Sequence, residues 1–313
     1  MFLAVVVTVI YFFQSFFLPT GGIGADSLSY FGIASDLPQL KTNLFPLGFP
    51  VLIKIFHFVF QDYFWAGKIL NISMVTMILL FSYVKKFYFR ETVLLFAGKT
   101  FFFAFNLVIS EGPFLFLLYF LFYFFHERFQ NKISSRHFVF YASAILILLF
   151  TVRYSGIYIY LGTGVFWLWM LLRRRIFAFQ KDLLKVLVVS GAGIIAYLGF
   201  NYFVYGSFTG EHLRGAPARI YPVYVVRNIL AMVNIIDPFI GIKPASNSFV
   251  SIAFQVGLML IDLLLLRYFV KLVMRKKHDL QMEFHYILWI IAAIYTLNMF
   301  VSGFYQQIEE LNV

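Results

Sequence analysis

The sequence predicts an all-α polytopic membrane protein of about nine transmembrane helices, and three observations lead there. The 313 residues are 62% hydrophobic and only 12% charged, against roughly 25% charged in an ordinary soluble domain. Mean hydropathy is +0.85, so too few polar residues exist to cover a water-facing surface, and the bilayer must be the main solvent. Apolar runs recur near 2–18, 64–84, 92–109, 113–125, 138–152, 154–172, 183–205, 249–270 and 284–303, each close to the roughly 20 residues that span the hydrocarbon core. The third observation is the placement of basic residues.

The links after the second, fourth, sixth and eighth runs carry Lys85, Lys86 and Arg90; Arg128, Lys132 and Arg136; Arg173, Arg174, Arg175 and Lys181; and Lys271, Arg275, Lys276 and Lys277. Every second link is basic. By the positive-inside rule these four links are cytoplasmic, the N-terminus is inside and the C-terminus outside. Those fourteen residues are more than half of the 25 Lys and Arg behind the net charge of +11, so the charge reads as a topology label and nucleic acid is not an expected partner. The first run has no positive n-region and no paired small-residue cleavage site, so it reads as a span rather than a signal peptide. With no cysteine in the chain, disulfides and thiolate chemistry are excluded.

The whole of 1–313 reads as a single transmembrane domain with two long outward segments, 19–63 and 206–248. The first opens on Gly21-Gly22-Ile23-Gly24-Ala25-Asp26, continues as a short helix ending before Pro38, then passes Phe45-Pro46-Leu47-Gly48-Phe49-Pro50 into an apolar stretch reaching Phe60. That stretch carries Lys54, His57 and Gln61 on one helical face, and it is too short to cross, so an interfacial helix is expected. The second holds Glu211-His212-Leu213-Arg214 between glycines, then an apolar pattern ended by Asp237-Pro238. Outward loops on one side of a scaffold are where function is expected.

Asp26, just outside the first span, reads either as a helix N-cap or as a general base at the membrane surface, where partial desolvation makes a carboxylate more basic. Tyr30 follows one turn later on the same face, and Asp36 is a second acid on that helix. Lys99 lies near the middle of the third run, where a charge is costly unless it serves a purpose. Lys68 reads as snorkelling and Asp262 as helix pairing. Glu111 and Arg153 sit at outward hairpin ends, and a guanidinium there suits a phosphate. His212 and Arg214 offer further phosphate-directed donors. The six histidines are far apart; no metal site is predicted, and a divalent cation held by Asp26 or Asp36 is the only cofactor the residues would admit. Gly162-Thr163-Gly164 and Gly191-Ala192-Gly193 read as close helix packing. No Walker loop or nucleophile elbow occurs.

Four segments in order, Gly24-Ala25-Asp26-Ser27-Leu28-Ser29-Tyr30, Phe45-Pro46-Leu47-Gly48-Phe49-Pro50, Ser110-Glu111-Gly112-Pro113-Phe114-Leu115-Phe116 and Val152-Arg153-Tyr154-Ser155-Gly156, resemble the polytopic GT-C glycosyltransferases. A single Pro46 stands where that family usually has a proline pair, and members normally continue beyond the point where Val313 lies. The resemblance implies inverting transfer of a sugar from a polyprenyl-phosphate donor to a lipid, glycan or protein acceptor on the extracytoplasmic face, as in a bacterial inner membrane. It implies Asp26 as base, with Tyr30, Asp36, Glu111, Arg153, Tyr154, His212, Arg214 and Lys99 binding substrate among membrane lipids. The rival expectations are a lipid or glycan transporter and a non-catalytic assembly subunit of the same fold.

Overall fold

The computed structural model describes residues 2–17, 22–173, 177–213, 249–275 and 282–305. Every regular element among them is helical, and a helix satisfies its backbone polar groups within its own turns, as a segment in lipid requires. In chain order these are α1 Phe2–Phe17, α2 Ala25–Asp36, α3 Gly48–Phe60, α4 Tyr63–Lys85, α5 Phe89–Ala97, α6 Lys99–Asn106, α7 Glu111–Phe129, α8 Ser135–Val152, α9 Gly156–Arg173, α10 Phe177–Tyr205, a 3-10 turn at Glu211–Leu213, α11 Phe249–Arg275 and α12 Met282–Tyr305.

Five helical stretches are long and apolar enough to cross a bilayer: α4, α8, α9, Phe179–Tyr205 and Glu283–Val301. A sixth is reached if α6 and α7, bent by 118° at their junction, are taken as one span. The chain is therefore a multi-pass helical protein, with five or six such spans among the described residues where nine were expected. One cause of the difference is the expected run 92–109, which is not one helix. Gly98 is extended, at φ −76° and ψ 146°, and divides it into α5 and α6. The break leaves carbonyls without helical donors, and the buried Tyr11 hydroxyl of α1 donates to Phe96 O at 3.0 Å, satisfying one of them inside the bundle.

The main helix pairs are α9 with α12 and α8 with α10, which are distant in sequence, and the neighbours α7 with α8 and α3 with α4. Glycines permit the closest approaches. A Cβ on Gly162 would lie 2.9 Å from Ile291 Cα, and one on Gly191 2.7 Å from the Tyr160 hydroxyl, as close packing predicted, whereas Gly164 has open space around it.

The two ends of the bundle differ in kind. At one end the α4–α5 link meets α7 and α12, with Tyr88, His126 and Phe284 rings 5.2 to 6.0 Å apart, and Arg128 donates twice to Asp182 at 2.8 and 2.9 Å. Three of the four basic links gather here. At the other end, about 28 Å away along the 19 residues of α7, lie α2, the 37–47 segment, the α6–α7 junction and the α8–α9 turn. Helix α3 packs over the start of α4: His57 stacks on Tyr63 at 4.0 Å and Lys54 donates to the Tyr63 hydroxyl at 3.0 Å. Phe58 and Val59, 71% and 73% exposed, point outward, an amphipathic arrangement that suits the interface.

Candidate functional site

The site begins with how the first loop is held. Gly22 has φ +115°, open only to glycine without strain, and its carbonyl accepts from Val108 N at 2.8 Å. Beneath it, Lys68 is fully buried rather than snorkelling, and its ammonium donates to Asn106 O at 2.9 Å and Asn106 Oδ1 at 3.2 Å. A Cβ on Gly22 would strike that ammonium. The loop is thereby fastened to the α6–α7 junction, and α2 starts beside the N-terminus of α7.

The N-cap of α2 is Gly24, whose N–H donates to the Ser27 hydroxyl at 2.9 Å. Ser27 therefore does the capping, and the N-cap reading of Asp26 gives way. Asp26 sits in the first turn, partly surrounded by protein while its side chain still reaches solvent. One turn on, Tyr30 is 2% exposed, its ring between Phe45 and Phe49 at 4.8 and 4.9 Å. Its hydroxyl donates to Ser110 Oγ at 2.9 Å. Arg153, extended at the C-cap of α8, donates to the same Ser110 Oγ at 3.3 Å and forms an ion pair with Glu111. Asp26, Tyr30, Ser110, Glu111 and Arg153 thus form one polar cluster from α2, α7 and the α8–α9 turn.

The cluster's electrostatics follow from that crowding. Burial first, then the charge of Glu111, raises the Asp26 carboxyl above its ordinary value, with Arg153 pulling the other way. Burial also pushes the Tyr30 phenol up, so it stays protonated and keeps donating. Burial pulls the Arg153 guanidinium down, but the Glu111 carboxylate, as a charge and as a hydrogen-bond acceptor, offsets it and the net shift is upward.

No family model, characterised protein or solved structure matches this chain significantly. The site is read from its own geometry.

The other expected site residues lie elsewhere. Asp36 ends α2, about 15 Å along the helix from Asp26, and pairs with exposed Lys41 at 2.8 Å. The Tyr154 hydroxyl donates to Asn43 O at 2.8 Å and accepts from Asn201 at 3.2 Å, tying the 37–47 segment to the end of α10. The buried Asn43 extends that tie to Ser207 O at 2.8 Å. Lys99 begins α6, about 10 Å along that helix from Asn106 at its far end, with its ammonium 5.8 Å from the Phe103 ring. His212 falls in the 3-10 turn Glu211–Leu213. Arg214 lies outside the described residues, as does the rest of the 206–248 loop beyond it.

Ser110 and Tyr295 are cluster residues that the sequence reading assigned no role. The Tyr295 hydroxyl lies 3.2 Å from Ser155 Oγ, two residues beyond Arg153. A cation fits this donor set poorly: no group of three His, Asp or Glu converges among the described residues, and Glu111 already faces Arg153.

Proposed function

We propose that the chain is an inverting glycosyltransferase that moves a sugar from a polyprenyl-phosphate donor to an acceptor hydroxyl at the outward end of the bundle. The observation carrying this is the cluster in which Arg153 holds Glu111 and Ser110 while the nearby Asp26 carboxyl feels both charges. Asp26 takes the proton from the acceptor hydroxyl as its oxygen attacks the anomeric carbon. The bond from that carbon to the phosphate oxygen breaks, and the electron pair leaves on polyprenyl phosphate. Arg153, helped by the Ser110 hydroxyl and the positive end of the α7 dipole, stabilises the charge growing there. A phosphate departs without protonation, so one carboxylate suffices where glycoside hydrolysis needs two. Tyr30 fixes Ser110, and the exposed apolar faces of the helices take the prenyl tail.

The finer topology belongs to this reading: nine crossings in alternation, counting α5 and α6 together as one, with a cytoplasmic N-terminus and the four basic links inside. So do an extracytoplasmic site and a cell-envelope role. Carriage of an anionic lipid is the second reading, favoured by the interruption at Gly98 beside Lys99, since discontinuous helices mark substrate paths in transporters.

The test is transfer in proteoliposomes across a panel of polyprenyl-phosphate sugars. Wild type is expected to transfer one of them and Asp26→Asn to lose about 100- to 10,000-fold in rate. Equal rates would remove Asp26 as base. Lipid translocation without transfer would favour the carrier.

A further inference from the structure

Arg153 is already engaged. Its guanidinium pairs with Glu111 and touches Ser110 Oγ, so a donor phosphate cannot use it fully without meeting a carboxylate. We propose that Glu111 is a built-in occupant of the phosphate site, which holds Arg153 until the donor arrives and then yields it to the phosphodiester. This rests on the transferase reading above and deepens it.

Three features make the exchange physically reasonable. Both side chains are reachable, at 28% exposed for Arg153 and 37% for Glu111, so the pair is not sealed. An ion pair about one-third open to solvent is screened and contributes less net stability than a sealed one, whereas a phosphate offers the guanidinium fork a second charge-assisted acceptor. Glu111 also opens α7, where the helix dipole favours any anion, and a phosphate beside Arg153 would lie in the same field.

The exchange has a chemical consequence. The charged and titratable groups facing Asp26 are Tyr30 on its own helix, Glu111 on α7 and Arg153 at the α8–α9 turn, with the Tyr295 phenol of α12 beside that turn. Of these, Glu111 favours the protonated carboxyl and Arg153 the ionised one. Once the phosphate neutralises Arg153, the pull that favours the ionised carboxyl weakens, and Asp26 becomes a stronger base while Glu111, released from Arg153, stays beside it at the start of α7. Donor binding and base strength are then coupled, and an unloaded site keeps a weaker base.

Binding of farnesyl methyl phosphate, a phosphodiester with one fixed negative charge, is measured by calorimetry on the full chain in detergent. Glu111→Gln is expected to bind about three- to tenfold tighter than wild type because the internal competitor is gone; Arg153→Gln is expected to bind weakly. Should Glu111→Gln yield no folded protein, wild type alone decides: titrations at about pH 6 in buffers of different ionisation enthalpy are expected to record proton uptake on binding. Weak binding by Arg153→Gln together with Glu111→Gln binding no tighter, or with no proton uptake where that variant does not fold, overturns the exchange alone. Binding by Arg153→Gln equal to wild type overturns the phosphate site and the transferase reading with it.

Discussion

At Asp26 the influences compete, and their signs give two predictions. Burial and Glu111 raise its carboxyl and Arg153 lowers it. The active, ionised form therefore accumulates only as pH rises through that raised value, which sets the acid limb of kcat/KM. Glu111→Gln removes a neighbouring negative charge and should shift this limb to lower pH; a limb that stays in place or moves up would contradict the cluster's electrostatics. For stability, a carboxyl raised in the folded state favours folding below its unfolded value, and that contribution is lost as pH rises through the folded one. At neutral pH the ionised group is thus a burden, and Asp26→Asn should melt no lower than wild type while losing activity. A large fall in Tm would indicate that Asp26 is structural instead.

At the scale of elements, close approaches and buried charges decide what can be changed. A Cβ on Gly48 would lie 2.6 Å from Thr151 O, where α3 crosses the end of α8, whereas one on Gly32 would meet nothing within 4 Å. Gly48→Ala should cost about 1–3 kcal/mol by forcing backbones apart, and Gly32→Ala should be neutral or stabilise by up to about 1 kcal/mol. Thermal melts in detergent separate the two, and equal effects would show that α3 does not seat on α8 this closely. At the basic end, Arg128 and Asp182 expose only 12% and 6% of their side chains. Asp182→Asn should therefore cost about 3–5 kcal/mol by leaving a buried cation, and Arg128→Gln in the same chain should recover part of it.

Long apolar runs and the alternation of basic links made the helices and the grouping of the links legible in the sequence, because both are summed over many residues. The break at Gly98 was not legible: a glycine in an apolar run leaves hydropathy unchanged, and the Tyr11 hydroxyl that compensates comes from 85 residues away. Likewise Glu111 and Arg153 stand out as charges at the ends of apolar runs, while Tyr295 is one of 20 tyrosines. Its only signal is the polar Asn298 one turn later in α12.

Over the whole molecule the two ends are unlike: basic links and the Arg128–Asp182 pair lie at one, the Asp26–Arg153 cluster about one bilayer thickness away at the other. The chain contains no cysteine, so single cysteines can be introduced without background. Lys86→Cys and Lys132→Cys should react with an impermeant maleimide only from the cytoplasmic side, and Gln39→Cys only from the opposite one; labelling of all three from one side would overturn the orientation. The most direct test of the central claim is a structure of the protein in a lipid nanodisc containing polyprenyl phosphate. The account predicts the phosphate within about 4 Å of the Arg153 guanidinium, with the prenyl tail descending between helices. A phosphate bound instead among the basic links, with Arg153 still closed on Glu111, would contradict it.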